Sequence, residues 1–153
     1  MAMEQDIVIS ELLVNSSNAL ESIRRLLSQL TSSPVALTRE GLEAIVASSS
    51  SHLFLAKCGD DIVGMLTIGE YIVPTGRKMW IEDVVVDASQ RGRSLGRTLV
   101  EHAIEYVRNN RPEATLMLTS RPSRVAANAL YRSAGFTSKE TNVYSMKFDE
   151  QKK

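Results

Sequence analysis

Between a run of valines and an apolar-periodic segment lies QRGRSLGR, Gln90 to Arg97, with three arginines and two glycines in eight residues. These residue types at a strand-to-helix turn suit an anion. A helix N-terminus offers unpaired N–H groups and a partial positive charge. Glycines at 92 and 96 let the backbone approach a phosphate closely, while Arg91, Arg93 and Arg97 supply compensating charge. On this stretch alone, an arginine-rich solvated turn remains the alternative.

The charge along the chain sharpens the choice. Lysine plus arginine equals aspartate plus glutamate at 18 each, so the net charge is zero and the whole molecule does not read as a nucleic-acid binder. Residues 1 to 90 carry six basic and twelve acidic side chains, whereas residues 91 to 132 carry eight arginines against three glutamates. That excess, made of arginine without lysine, favours forked and geometrically defined anion contacts. Cys58 is the one cysteine, which excludes an intramolecular disulfide, and no Cys/His cluster suggests a metal. The start MAMEQDIVIS lacks signal-peptide character and no apolar run reaches membrane-spanning length, so a soluble, cytoplasmic protein is expected.

The elements that must position this loop follow from periodicity. At 153 residues and 43% hydrophobic content the chain reads as one domain, residues 1–153. DIVISELL opens as a strand. Leu20, Ile23, Leu26, Leu27 and Leu30 recur at helical spacing, with Ser32, Ser33 and Pro34 as the stop. A second helix is expected from Thr38 to Ala47. HLFLAKC and DIVGMLTIGEYIV form a hairpin about Gly59-Asp60, and MWIEDVVVD follows as a third strand. Leu95 to Val107 reads as a helix, ATLMLTS as a buried strand, and SRVAANALYRSAG as a helix with Ser123 at its N-cap and Gly135 at its end. GFTSKETNVYSMKF ends the chain as two short strands around Asn142. The fold class is α/β, with early antiparallel hairpins and a right-handed crossover in the middle.

DVVVDASQRGRSLGRTLVEHAI followed by NALYRSAGF resembles the signature of the GNAT superfamily of acyl-CoA-dependent N-acyltransferases. The family's Arg/Gln-x-x-Gly-x-Gly/Ala loop falls on Arg91, Gly92, Arg93, Ser94, Leu95 and Gly96; its Asn-x-x-Tyr with a later Gly-Phe falls on Asn128, Tyr131, Gly135 and Phe136. The resemblance covers most of the chain and is strongest from Trp80 to Phe136. It implies a mixed six- to seven-stranded sheet with a splayed central strand pair and about four helices. It also implies acetyl-CoA as co-substrate, an amine acceptor, no metal, and a homodimer pairing through late strands.

The same resemblance distributes roles. The loop from Arg91 to Arg97 takes the CoA pyrophosphate. Val84, Val85 and Val86 form the stretch that runs beside pantetheine, with Val84 and Val86 best placed for main-chain contacts and one N–H serving as oxyanion donor. Asn128 is assigned to the pantetheine amides. Tyr131, three residues on and on the same helix face, is assigned to the leaving thiolate as general acid. Glu82 is favoured as the base, with Asp83 as runner-up; Glu82 shares a face with Val84 and Val86 only if the strand carries no bulge. Ser94 departs from the family's glycine, adding a Cβ where positive φ comes easily only to glycine. Its N–H and hydroxyl can still reach a phosphate.

Other residues carry less. His52 reads as a satisfied structural group and His102 as a boundary position. Trp80 and Tyr71 line either an acceptor pocket or the core, and Arg121 and Arg124 suit either a CoA phosphate or an anionic acceptor. WIEDVVVD is similar to the equivalent strand of glucosamine-phosphate N-acetyltransferases, which tilts the acceptor toward amino-sugar phosphates among small amines, amino acids, amino sugars and peptide amines. An N-acetyltransferase acting by direct attack in a ternary complex is the expected function. A non-catalytic CoA-binding or partner-binding module on the same fold is the alternative.

Overall fold

The structure, a computed structural model, describes residues 6–33 and 36–148. The opening residues MAMEQ and Pro34 of the expected helix stop lie outside the described residues. Five strands form one sheet in sequence order: β1 Ile7–Glu11, β2 Ser51–Cys58, β3 Asp61–Val73, β4 Gly76–Val86 and β5 Thr115–Met117. The first three pairings are antiparallel and the last, β4 with β5, is parallel. A parallel neighbour requires a crossover, and α3 (Leu95–Asn110) provides it.

Helices cover both faces. α1 (Ser17–Leu30) and α2 (Arg39–Ala47) bury Leu20, Ile23, Leu26 and Leu42 against Leu53, Leu55, Met65 and Val85. On the opposite face α3 and α4 (Val125–Ser133) bury Leu99, Val100, Ala103, Val107 and Tyr131 against Phe54, Leu66, Ile68, Met79 and Ile81. Hydroxyl side chains cap the first two helices: Ser16 Oγ accepts from Ala19 N at 3.1 Å and Thr38 Oγ1 from Gly41 N at 3.0 Å.

Two irregularities in β4 decide what the strand can present. Met65 pairs with Val85, but Thr67 pairs with Glu82, so Leu66 faces two residues, Asp83 and Val84. This is a β-bulge, and Asp83 takes a left-handed φ of 50° within it. Met79 and Ile81 enter the α3 core whereas Val85 enters the α1 core, with Val84 and Val86 packed on the α3 side. The extra residue therefore swaps the faces, and Glu82 does not share one with Val84 and Val86. The second irregularity is the β4–β5 ladder, which ends at Trp80↔Met117 while β4 continues to Val86. From Ile81 to Val86, the edge toward β5 has no ladder partner.

Several expectations need correction. Among the described residues the sheet has five strands, not six or seven, because the stretch after α4 forms no strand. Val143, Tyr144, Met146 and Phe148 are exposed at 72%, 88%, 76% and 87%, respectively. An isolated strand pair is marginal without a sheet or helix to cover its apolar face, and Tyr144, Met146 and Phe148 stand exposed instead. β5 is also only three residues long. Arg124, not Ser123, occupies the N-cap of α4, and its side chain makes no capping bond. Gly135 does end the helix, with φ of 111°: Phe136 N donates to Tyr131 O at 3.0 Å and Gly135 N to Arg132 O at 3.1 Å. That is the Schellman pattern, completed by an edge-on contact of Tyr131 with Phe136 at 6.3 Å between ring centroids.

Candidate active site

β4 leads into the loop through a clamped exit. Asp87 accepts from Ser89 N at 2.9 Å and Ser89 Oγ at 2.8 Å, which together hold its carboxyl below the usual carboxylate range. α1 secures the same turn from the other side: Ala88 N donates to Gln29 Oε1 at 2.8 Å, and Arg25 lies 3.3 Å from Asp87 Oδ2. After a short 3-10 turn at Ala88–Gln90 the chain reaches Gly92, at φ 84°, and Ser94, at φ 57° and ψ 26°. Ser94 is the N-cap of α3, yet its side chain caps nothing and no acidic residue occupies the first turn. α3 and α4 thus both start without a side-chain cap, in contrast to α1 and α2.

These two starts flank a cleft of about 740 Å³. From the loop it takes Gln90, Arg91, Gly92, Ser94, Leu95, Gly96 and Arg97, and from β4 it takes Val86. α4 adds Arg124 at its start, then Ala126, Ala127, Ala129, Leu130 and Ser133. A Cβ built on Gly96 would stand 3.9 Å from both Leu130 Cδ1 and Val86 Cγ2, ordinary contacts, so the missing side chain is cleft space. Arg97 donates to Ser133 Oγ and lies 3.4 Å from Glu101, tying α3 to α4 across the cleft. Arg93 Nη1 instead reaches back to Gln90 Oε1 at 2.6 Å.

Not every expected binding residue lines this cleft. Val84, Val85, Arg93, Asn128 and Tyr131 are outside its lining. Asn128 Nδ2 donates to Arg121 O at 3.0 Å, which fixes the turn before α4. Tyr131 is 9% exposed and belongs to the α3-side core. Between β5 and that turn sits Ser120, whose buried Oγ has no hydrogen-bond partner. A buried hydroxyl without a partner is costly, so a polar group arriving there gains from it. Sequence reasoning passed over Ser120, and nothing in a lone serine after a strand signals it. The alanines of α4 were legible only as helix formers; their small size is what opens the cleft wall.

A second cavity, of about 480 Å³, lies over the paired stretch of β3 and β4 around Gly69 and Trp80. Ser50, Gly69, Tyr71, Trp80, Glu82 and Thr119 line it, together with Glu70 and Val143. Trp80 faces Gly69 across the ladder, and a Cβ at Gly69 would meet nothing within 4 Å. Trp80 Nε1 donates to Tyr71 Oη at 3.0 Å, joining the two rings into one wall. Partial burial first, and the Asp83 charge second, raise the Glu82 pKa above the ordinary carboxylate value.

Beneath this cavity is a polar cluster. His52 lies between Glu11 Oε1, 2.9 Å from Nδ1, and Glu70 Oε1, 3.0 Å from Nε2, while Tyr106 Oη is 3.3 Å from Nδ1. Glu70 Oε2 accepts from Arg77 at 3.0 Å and Arg111 at 3.3 Å. Burial alone would raise the Glu70 pKa, but the bonds from His52 and Arg111 and their charges outweigh it and hold the carboxyl low. His52 is a satisfied structural group. His102 packs on Phe54 at 5.1 Å, and burial lowers its pKa, favouring the neutral ring. Among the described residues, no group of three or more His, Cys, Asp or Glu could hold a metal ion, and no helix is long and apolar enough to cross a membrane.

A mixed sheet that opens between two strands, beside two uncapped helix starts and an arginine-bearing loop, defines an α/β domain with an arginine-lined cleft. The chain belongs to the Acetyltransferase (GNAT) family, whose profile matches residues 20–136. Over 94 residues it is 37% identical to glucosamine 6-phosphate N-acetyltransferase 1 of Oryza sativa subsp. japonica, covering 54% of this chain and 56% of that relative, about half the length of each. Among solved structures, an aminoglycoside acetyltransferase from an uncultured soil metagenomic sample, in complex with trehalose, superposes with a TM-score of 0.81 at 19% identity, covering 94% of this chain and 97% of that one. The aminoglycoside N-acetyltransferase AAC(6')-Iy in complex with CoA gives a TM-score of 0.75 at 16% identity, covering 96% and 98%. At these identities the two structures share the fold.

Proposed function

We propose that this chain is an N-acetyltransferase that moves the acetyl group of acetyl-CoA to a primary amine in a ternary complex. The observation that carries this is the cleft itself: an uncapped α3 start with Gly92 and Ser94 both left-handed, lined by Arg91, Arg97 and Arg124. The donor set suits CoA. The free N–H groups of the first α3 turn and the three guanidinium groups match a pyrophosphate. The unladdered edge of β4 from Ile81 to Val86 offers N–H and C=O groups to the pantetheine amides, and Ser120 offers a hydroxyl. Family membership and the CoA complex of AAC(6')-Iy support the same ligand.

In this scheme Glu82, with its raised pKa, accepts a proton from the incoming ammonium or its amine. The amine nitrogen attacks the thioester carbonyl, and a β4 N–H near Val84 or Val86 stabilises the oxyanion. The C–S bond then breaks, the thiolate takes a proton from Tyr131, and Tyr131 recovers one from the acetylated nitrogen, giving free CoA thiol and a neutral N-acetyl product. Asp83 serves by raising the basicity of Glu82, and Asn128 by holding the turn at Arg121 or, once released from it, a pantetheine amide. Titration calorimetry of CoA against the wild type and Gly96→Ala tests the cleft. The added methyl meets only ordinary protein contacts, so the variant should keep its stability while losing CoA affinity; unchanged affinity would place CoA elsewhere.

Two observations favour the alternative of a non-catalytic module: Tyr131 is buried and Asn128 is engaged with a backbone carbonyl. Tight CoA binding with no thiol release over a broad amine panel would support it. The homodimer belongs to the main proposal. Tyr144, Met146 and Phe148 alternate along an exposed stretch, and β5 has only β4 as a ladder neighbour among the described residues. The tail of a second copy fits that open edge. A monomeric mass by sedimentation would remove this part.

A further inference from the structure

The second cavity reaches Glu82, so if the acetyl-transfer proposal holds, it is where the acceptor sits, and its lining speaks to the acceptor's charge. Every polar group that lines it is neutral or acidic: Ser50, Tyr71, Trp80, Thr119, Glu70 and Glu82. Among the described residues that line it there is no lysine, arginine or histidine. Lys78, which pairs with Tyr71 across the ladder, stands outside the lining, and the two arginines on Glu70 are already committed. Arg77 and Arg111 both donate to Glu70 Oε2, at 3.0 and 3.3 Å, and Arg77 also holds Glu113 at 3.1 Å. The Glu70 side chain is only 6% exposed, so drawing either arginine away to a ligand would weaken the pairing of a buried carboxylate. Asp83 adds a second negative charge next to Glu82.

We infer that the acceptor is a cationic primary amine without a phosphate or carboxylate group, its ammonium set at Glu82 and its carbon face laid on the Trp80–Tyr71 wall. The wall suits that face. Trp80 Nε1 spends its proton on Tyr71 Oη, leaving the ring surfaces for a carbon skeleton and for cation–π attraction. A phosphate in this cavity would meet carboxylates and no cation in the lining, and like-charge contacts of that kind discriminate strongly between partners. The chain would thereby differ in acceptor from the glucosamine 6-phosphate N-acetyltransferase with which it shares 37% identity over 94 residues. The amino-sugar phosphate toward which WIEDVVVD tilts would be a poor substrate.

The test uses a pair of probes that differ in one group, glucosamine and glucosamine 6-phosphate, with the full chain and acetyl-CoA. CoA thiol release should give the unphosphorylated amine a kcat/KM about tenfold higher or more. An equal or higher value for the phosphate ester overturns the inference. Calorimetry of each probe onto the CoA-saturated protein separates this from the acetyl-transfer proposal. If neither probe turns over, that proposal fails for this pair, while tighter binding of glucosamine still upholds the charge preference; equal binding, or none by either, overturns it. Thr119→Lys, at an exposed rim position, supplies the missing cation and should shift the preference toward the phosphate ester. No shift would count against a preference set by charge.

Discussion

Ser94→Gly is the perturbation with the most definite arithmetic. Ser94 sits at φ 57° and ψ 26°, a conformation that costs an L-residue with a Cβ about 1–2 kcal/mol. Its hydroxyl caps nothing in the free protein, so removing the side chain loses no capping bond. Its carbonyl still accepts from Thr98 N and Thr98 Oγ1, each at 3.1 Å. Against the relief stands the greater freedom of glycine in the unfolded chain, worth about 0.4–1 kcal/mol. The balance is a gain of up to about 1.6 kcal/mol, centred on about 0.8 kcal/mol, or roughly 2–3 °C in Tm for a chain of this size. Thermal unfolding of the CoA-free protein, followed by calorimetry, reads this directly. A lower Tm would refute the claim that the loop is strained at this residue. CoA titration of the same variant should give equal or tighter binding; a clear loss would show that the hydroxyl itself holds a phosphate.

Tyr131→Phe should cut kcat by about 10²–10⁴-fold with little change in CoA affinity, and an unchanged rate would sink its role as acid. Because the Glu82 pKa is raised, the base form is lost as pH falls through a value above the ordinary carboxylate range, so kcat/KM should decline on that limb. Asp83→Asn keeps a residue that tolerates φ of 50° and removes the charge, so it should move the limb to lower pH; no movement would remove the Asp83 charge as a cause of the raised pKa. Ser120→Ala removes a buried hydroxyl with no partner, so it should raise free-protein stability by about 1 kcal/mol while weakening CoA binding. A loss of stability in denaturant unfolding would contradict the first half. Glu70→Gln should cost about 3 kcal/mol because Arg77 and Arg111 lose a buried partner. The folded pKa of Glu70 is depressed, so the charge-dependent part of this stability is present at pH above its unfolded value and is lost as pH falls through the folded one.

The sheet, both early helices and the crossover were legible because apolar periodicity and turn residues agreed: Gly59 turns at φ 61° and Gly135 ends α4 at φ 111°. The arginine and glycine loop was legible for the same reason, its residue types matching the backbone it needs. The β4 bulge was not, since an extra residue in IEDVVV changes no local pattern yet sends Glu82 and Val84 to opposite faces. The tail was misjudged differently. TNVYSMKF has strand composition, but composition cannot supply the neighbouring strand on which a ladder depends. Of the second cavity, Trp80 and Tyr71 were legible as candidate lining, whereas Gly69, Ser50 and Thr119 were not, because they meet that wall only through topology.

The most direct measurement is product analysis: the full chain, acetyl-CoA and a panel of primary amines, with CoA thiol quantified alongside the mass of each amine. The account predicts an amine gaining one acetyl group in equal amount to the thiol released, with both signals lost when the amine is omitted. Bound CoA with no acetylated amine, or thiol released without any N-acetyl product, would contradict it.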